Sequence, residues 1–119
     1  MKSIYFKKIK FLDINSDKLY GFFKNYGLYV FPSAPGLASI EDEKKYYKSL
    51  QNANYVFFDS SFFVLLLKYL KNIKVERLSG YKFLKFFFKF LKKNNNYKIF
   101  LIDPSTNKAK NNINYLLKL

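Results

Sequence analysis

Asp59 and Arg77 combine scarce residue types with settings suited to polar chemistry. Asp59 follows the apolar run Tyr55-Val56-Phe57-Phe58 and precedes Ser60-Ser61. A carboxylate at the end of a buried strand is partly desolvated, as a general base is. The same position also suits a helix N-cap, which Asp fills well. Arg77 is the single arginine among 22 cationic residues. Where lysine is the default cation, a lone guanidinium points to a site that needs a planar, forked donor, with a surface salt bridge as the alternative. Asp103 closes a second apolar run, Ile99-Phe100-Leu101-Ile102, but stands before Pro104, where a turn-forming role competes.

Other chemistries are excluded by composition. The chain has no cysteine and no histidine, which removes disulfides, thiolate nucleophiles, Ser-His-Asp triads and ordinary zinc enzymes. Acid–base work falls to eight carboxylates, the tyrosines or the lysines. Neither G-x-G-x-x-G nor G-x-x-x-x-G-K-[ST] occurs, and no Asp-x-Asp follows a strand, so neither a metal nor a cofactor is expected. Glu41, Asp42 and Glu43 read as a helix start rather than a metal site. Phosphates would then be met by helix N-termini and Arg77.

Positioning these residues requires a particular order of elements. Residues 4–12 alternate loosely and read as an edge strand or hairpin. Asn15-Ser16-Asp17 caps a helix over 18–24, stopped by Asn25-Tyr26-Gly27. Residues 28–31 (LYVF) form a short buried strand, ended by Pro32 and a loop through Ser33 to Gly36. A helix in one or two pieces follows over 37–51, then a strand over 55–58 and a helix over 62–70 begun by Ser60-Ser61. After a connector at 75–80 comes the clearest helix, 81–93. Its lysines Lys82, Lys85, Lys89 and Lys92 draw one polar stripe opposite Phe83, Phe86, Phe87, Phe90 and Leu91. Residues 97–102 read as a third buried strand, and a last helix starts near Asn107.

Short apolar strands alternating with helices imply one α/β domain over 1–119, a mostly parallel sheet with helices on both faces. In such sheets ligands bind beyond the carboxyl ends of the strands. Three loops are expected there, carrying Ser33, Asp59 with Ser60, and Asp103. So few strands for so many helices read as the N-terminal part of a longer domain, an incomplete sheet.

The formal charge is +14, which favours phosphate-rich partners. Lys, Asn, Phe and Tyr are also what AT-rich codons favour, so composition accounts for much of this excess. No RRM or zinc-finger motif appears and the aromatics lie in buried-looking runs, so no nucleic-acid partner is expected. The N-terminus lacks an apolar signal region, and the longest apolar run, 62–67, is too short to span a bilayer. The expected compartment is the cytoplasm.

Residues 52–102 resemble the middle of the WecG/TagA/CpsF bacterial glycosyltransferases. That family carries an "adlvlpDG" strand end, a helix, an "xRvtGxDL" turn, a helix and a "vfLlGg" strand. The counterparts are Asn54 through Asp59, then Glu76-Arg77-Leu78-Ser79-Gly80, then Ile99-Phe100-Leu101-Ile102. The resemblance implies a Rossmann-like fold and metal-independent, inverting transfer of an N-acetylmannosamine-type sugar. The donor would be a UDP-sugar. The acceptor would be a sugar on a polyprenyl diphosphate at the inner membrane face, so peripheral membrane contact is implied and oligomerisation is left open. On this reading Asp59 is the general base, and Arg77 with Ser33, Ser79 and Gly80 lines the donor site. Ser60 and Asp103 are secondary candidates. The family's "TxNPE" loop is replaced by FPSAPG, its Gly after the Asp by Ser60, its Asp after the second motif by Lys82, and its paired glycines by Asp103-Pro104. The alternative is a non-catalytic basic α/β module that binds an anionic polymer or membrane surface.

Overall fold

The computed structural model describes residues 1–118. The N-terminal stretch is a hairpin, with β1 (Lys2–Phe6) antiparallel to β2 (Ile9–Asp13). Its two-residue turn, Lys7-Lys8, has both residues left-handed, at φ 46 and 58. That twist matches the flanking strands, although Asn-Gly is the pair that adopts it without steric cost. Tyr47 donates its hydroxyl to the Lys7 carbonyl at 2.8 Å, and the Lys7 ammonium lies 3.6 Å from the Glu41 carboxylate, so the turn is tied to the helix layer.

The remaining strands are parallel. β3 (Tyr29–Val30) and β4 (Tyr55–Phe57) complete a sheet of order β1-β2-β4-β3, in which β4 lies between β2 and β3. Phe11 faces Val56 across one seam, and Val30 faces Val56 across the other. Gly27 sets the approach of β3. Its φ of 146 and the 2.8 Å that a Cβ would leave to Asn54 both require glycine, and the Asn54 side chain accepts from Leu28 N–H at 2.8 Å.

Alternation along β2 and β4 splits their side chains between two cores, as a period of two demands. Ile9, Phe11, Val56 and Phe58 point to one face, under α2 (Ala34–Ala38), α3 (Lys44–Asn52) and α4 (Ser61–Lys71), with Leu37, Leu50, Phe63 and Leu67. Leu12, Ile14 and Phe57 point to the other. That face lies under a 3-10 turn (Ser16–Lys18), α1 (Leu19–Phe22) and α5 (Gly80–Lys93), with Phe22, Leu78, Phe83 and Phe90. Helices therefore cover both faces of a mostly parallel sheet, the fold class expected from the sequence. Each fully buried Phe here contributes about 2–3 kcal/mol.

Two expected strands differ. The strand expected over 28–31 is two residues long, and Tyr29 and Val30 are half-buried because β3 is an edge. The strand expected over 97–102 does not form. Phe100 is 88% and Ile102 89% exposed, and this segment joins no strand of the sheet. Its apolar residues encode a preference for burial that is not met here, and the outer edge of β3 stays unpaired among the described residues. α6 (Thr106–Leu117) follows and buries none of its residues. The helix expected over 18–24 is the 3-10 turn followed by the four-residue α1. Among the described residues no helix is long and apolar enough to cross a membrane.

Candidate active site

Because β2, β3 and β4 are parallel, their carboxyl ends share one edge of the sheet. Asp13 ends β2, Pro32-Ser33 follows β3, and Asp59 lies two residues past β4. The connector over 75–80 crosses this edge and is fixed to it by its backbone. Glu76 N–H donates to Asp13 Oδ1 at 2.9 Å, Leu78 N–H to the Phe58 carbonyl at 2.9 Å, and Gly80 N–H to Asp59 Oδ1 at 3.0 Å.

Asp59 does not cap the helix that follows it. Ser60 does, its hydroxyl accepting from Phe63 N–H at 3.2 Å. The half-buried Asp59 carboxylate instead reaches the N-terminus of α5, where the helix dipole favours negative charge. Among the described residues its second oxygen accepts nothing. Arg77 is exposed, and its Nε donates to the Asp59 carbonyl. The two ion pairs among the described residues, Lys7–Glu41 and Lys82–Glu76, both use lysine. Arg77 is therefore in neither ion pair, and its guanidinium is held beside Asp59 through Nε alone among the described residues. A carboxylate and a guanidinium in this arrangement can accept a proton and neutralise a departing anion.

The other expected residues are placed as follows. Ser79 caps α5, accepting from Lys82 N–H at 3.1 Å, and Gly80 is the first residue of that helix. A Cβ on Gly80 would meet the Phe31 ring at 3.6 Å, an ordinary contact that joins the end of β3 to the start of α5. Ser33 caps α2 through Gly36 N–H at 3.4 Å. It lies on the same sheet edge but makes no hydrogen bond to Asp59, Arg77, Ser79 or Gly80 among the described residues. Asp103 is not brought to this edge, because the strand expected to carry it is not formed. Its carboxylate accepts from the Asn112 side chain at 2.6 Å, within the C-terminal segment.

Sequence reasoning missed Asp13 and Glu76. Phe11-Leu12-Asp13 repeats the pattern of Phe57-Phe58-Asp59, an apolar strand closing on a carboxylate. Read as an edge hairpin, that segment gave no reason to place Asp13 beside Asp59. In the structure β2 is an inner strand. Around the connector, Ser16 Oγ lies 3.5 Å from Glu76 Oε1, and Lys82 lies 3.7 Å from the same carboxylate.

A separate groove of about 350 Å³ lies between α5 and α6, lined by Tyr81, Leu84, Phe88 and Tyr115 with Lys85, Lys89 and Lys92. The lysine stripe of α5 thus runs beside exposed apolar residues rather than opposite all of them. Nothing in the lining is an acid or an arginine, so it offers no acid–base pair.

The family model described as "Glycosyl transferase WecG/TagA/CpsF family" matches residues 7–117. No curated protein and no solved structure matches the chain significantly.

Proposed function

The chain belongs to the WecG/TagA/CpsF glycosyltransferase family, and on that premise we propose that the edge formed by Asp59, Arg77, Ser79 and Gly80 is its sugar-transfer site. The donor is a UDP-linked hexosamine of the N-acetylmannosamine type, and the acceptor is a sugar on a polyprenyl diphosphate, used in cell-surface polysaccharide synthesis. Asp59 takes the proton of the acceptor hydroxyl. The hydroxyl oxygen then bonds to the anomeric carbon as the bond from that carbon to the UDP oxygen breaks, with inversion. UDP leaves with the bonding electrons, and Arg77 neutralises the charge that builds on its diphosphate. The chemistry uses no metal. Ser33 and Ser60 line the approach to the donor, and Asp103 takes no part.

The observation that carries this reading is the Asp59–Arg77 arrangement. A half-buried carboxylate retains an oxygen without a partner among the described residues, next to an arginine bound to the same residue's carbonyl. The proposal extends to the domain itself, whose remainder would cover the exposed Ile99, Phe100, Leu101 and Ile102. An acceptor held in a lipid makes contact with the inner membrane face part of the reading. The deciding experiment is transfer from a UDP-sugar to a lipid-linked acceptor by the full-length protein. Asp59→Asn should lower kcat by about 10²–10⁴-fold, the usual contribution of a positioned general base, while leaving UDP binding in place. Equal turnover by Asp59→Asn and the parent protein would remove Asp59 from the mechanism.

A second reading has one observation in its favour. Ten of the 22 Lys and Arg residues, but only Asp103 of the eight acids, fall within residues 77–119, so this part carries +9 of the +14. A binding module for anionic surfaces would need that distribution and no base. Its signature is binding that falls steeply with salt and is indifferent to Asp59→Asn.

A further inference from the structure

The connector that carries Arg77 is held unevenly on its two sides. After Arg77, Leu78 is buried in the core at 2% exposure, its N–H bonds the Phe58 carbonyl, and Gly80 N–H bonds Asp59. Before Arg77, the backbone leaves α4 at Asn72, which is left-handed, and runs through half-buried Ile73 and Val75. On that side the hydrogen bond that fixes the connector backbone to the sheet edge is the one from Glu76 N–H to Asp13 Oδ1, at 2.9 Å. Its acceptor is the last residue of β2, and β2 is fixed by β1 on one side and β4 on the other. A bond to an ionised acceptor is roughly twice as strong as a neutral one, so a carboxylate suits this tether.

We propose that Asp13 is a positioning residue. Its carboxylate clamps the connector one residue before Arg77, as Asp59 clamps it at Gly80, and the pair aims the guanidinium across the ends of β2 and β4. Asp13 is the last residue of β2 and Asp59 lies two residues past β4, so both clamps stand at the carboxyl ends of parallel strands of the same sheet. Glu76 is held a second time through its side chain, by Ser16 Oγ at 3.5 Å and the Lys82 ammonium at 3.7 Å. The clamp's purpose rests on the donor-site reading of Arg77, but its geometry does not.

The chain's lone arginine makes the test direct, because its Nε–H gives a single side-chain resonance of that type in the ¹⁵N spectrum of the full chain. In the parent protein this proton is held by the Asp59 carbonyl, so its exchange with water should be slower than in a free guanidinium. Asp13→Ala should speed that exchange at least tenfold and leave the backbone amides of β4 protected. Asp13→Asn, which keeps a weaker acceptor, should fall between the two. Folded Ala and Asn variants that leave Arg77 Nε–H exchange unchanged would overturn the clamp. If Asp13→Ala does not fold, the Asn variant decides alone, by the same criterion. Adding UDP to the parent protein reads the other hypothesis separately. A resonance that UDP does not move contradicts the donor role of Arg77, whatever the Asp13 variants show.

Discussion

Residues 55–59 and 99–103 are nearly the same word, Tyr-Val-Phe-Phe-Asp and Ile-Phe-Leu-Ile-Asp, yet they end in opposite states. The first is the inner strand β4 and its extension, with Val56, Phe57 and Phe58 all at or below 1% exposure. The second is unpaired, with Phe100 and Ile102 nearly bare. What differs is the company. β4 has β2 and β3 on its two edges and helix layers on both faces, whereas residues 99–102 join no strand. An apolar run closing on Asp specifies a candidate strand; pairing with a neighbouring strand decides whether the strand exists. The same contrast separates the two carboxylates. Asp59 is delivered to the shared sheet edge, and Asp103 bonds within its own segment.

That contrast breaks most visibly under truncation of one side chain in each word. Phe57→Ala empties a fully buried position that stacks on Phe31 at 5.0 Å. It should cost about 3–5 kcal/mol by chemical denaturation, a large share of the stability of a domain this size. In the 119-residue chain, where Phe100 is exposed, Phe100→Ala should stay within about 0.5 kcal/mol of the parent. A loss of several kcal/mol at Phe100 would mean that residues 97–102 are packed after all.

A smaller effect sharpens the account at the hairpin. Replacing Lys7-Lys8 with Asn-Gly removes the left-handed cost at both positions and should stabilise by about 1 kcal/mol, less the Lys7–Glu41 ion pair. A loss of stability would show that the Lys7 side-chain contacts outweigh the backbone strain.

The smallest effect is one of pH. Burial raises the pKa of Tyr29 above the ordinary tyrosine value, with Tyr55 nearby adding to it. The fold therefore favours the neutral phenol, and the unfolded chain ionises first. The contribution is fully present below about pH 10 and is lost as pH rises through the folded value. Tyr29→Phe should flatten this alkaline fall in melting temperature. It should also lower stability near neutrality, because the hydroxyl lies 3.0 Å from the Phe22 carbonyl and 2.7 Å from that of Asn25.

Much of this was legible in the sequence because it depends on local pattern. The cap at Ser60, the amphipathic α5 and the apolar β4 are set by neighbours within a few residues, and each is found where the pattern puts it. The meeting of Asp59 with Gly80 was foreshadowed by the family resemblance, which set both residues in one site. The partnership of Asp13 with Glu76 was not legible, since it depends on β2 lying beside β4, a pairing between distant segments. The fate of residues 97–102 was illegible for the same reason. Composition specifies what a strand is made of, and only the assembled sheet specifies which runs are paired into it.

The most direct test of the proposed donor site is thermal unfolding of the full-length protein with and without UDP, for the parent, Arg77→Lys and Arg77→Ala. A ligand at a hundredfold excess over its Kd stabilises by about 2.7 kcal/mol. UDP should therefore raise the melting temperature of the parent by several degrees, less for Lys, which lacks the forked donor, and least for Ala. An unmoved melting temperature in the parent, or an equal rise in Arg77→Ala, would contradict a diphosphate site built on Arg77.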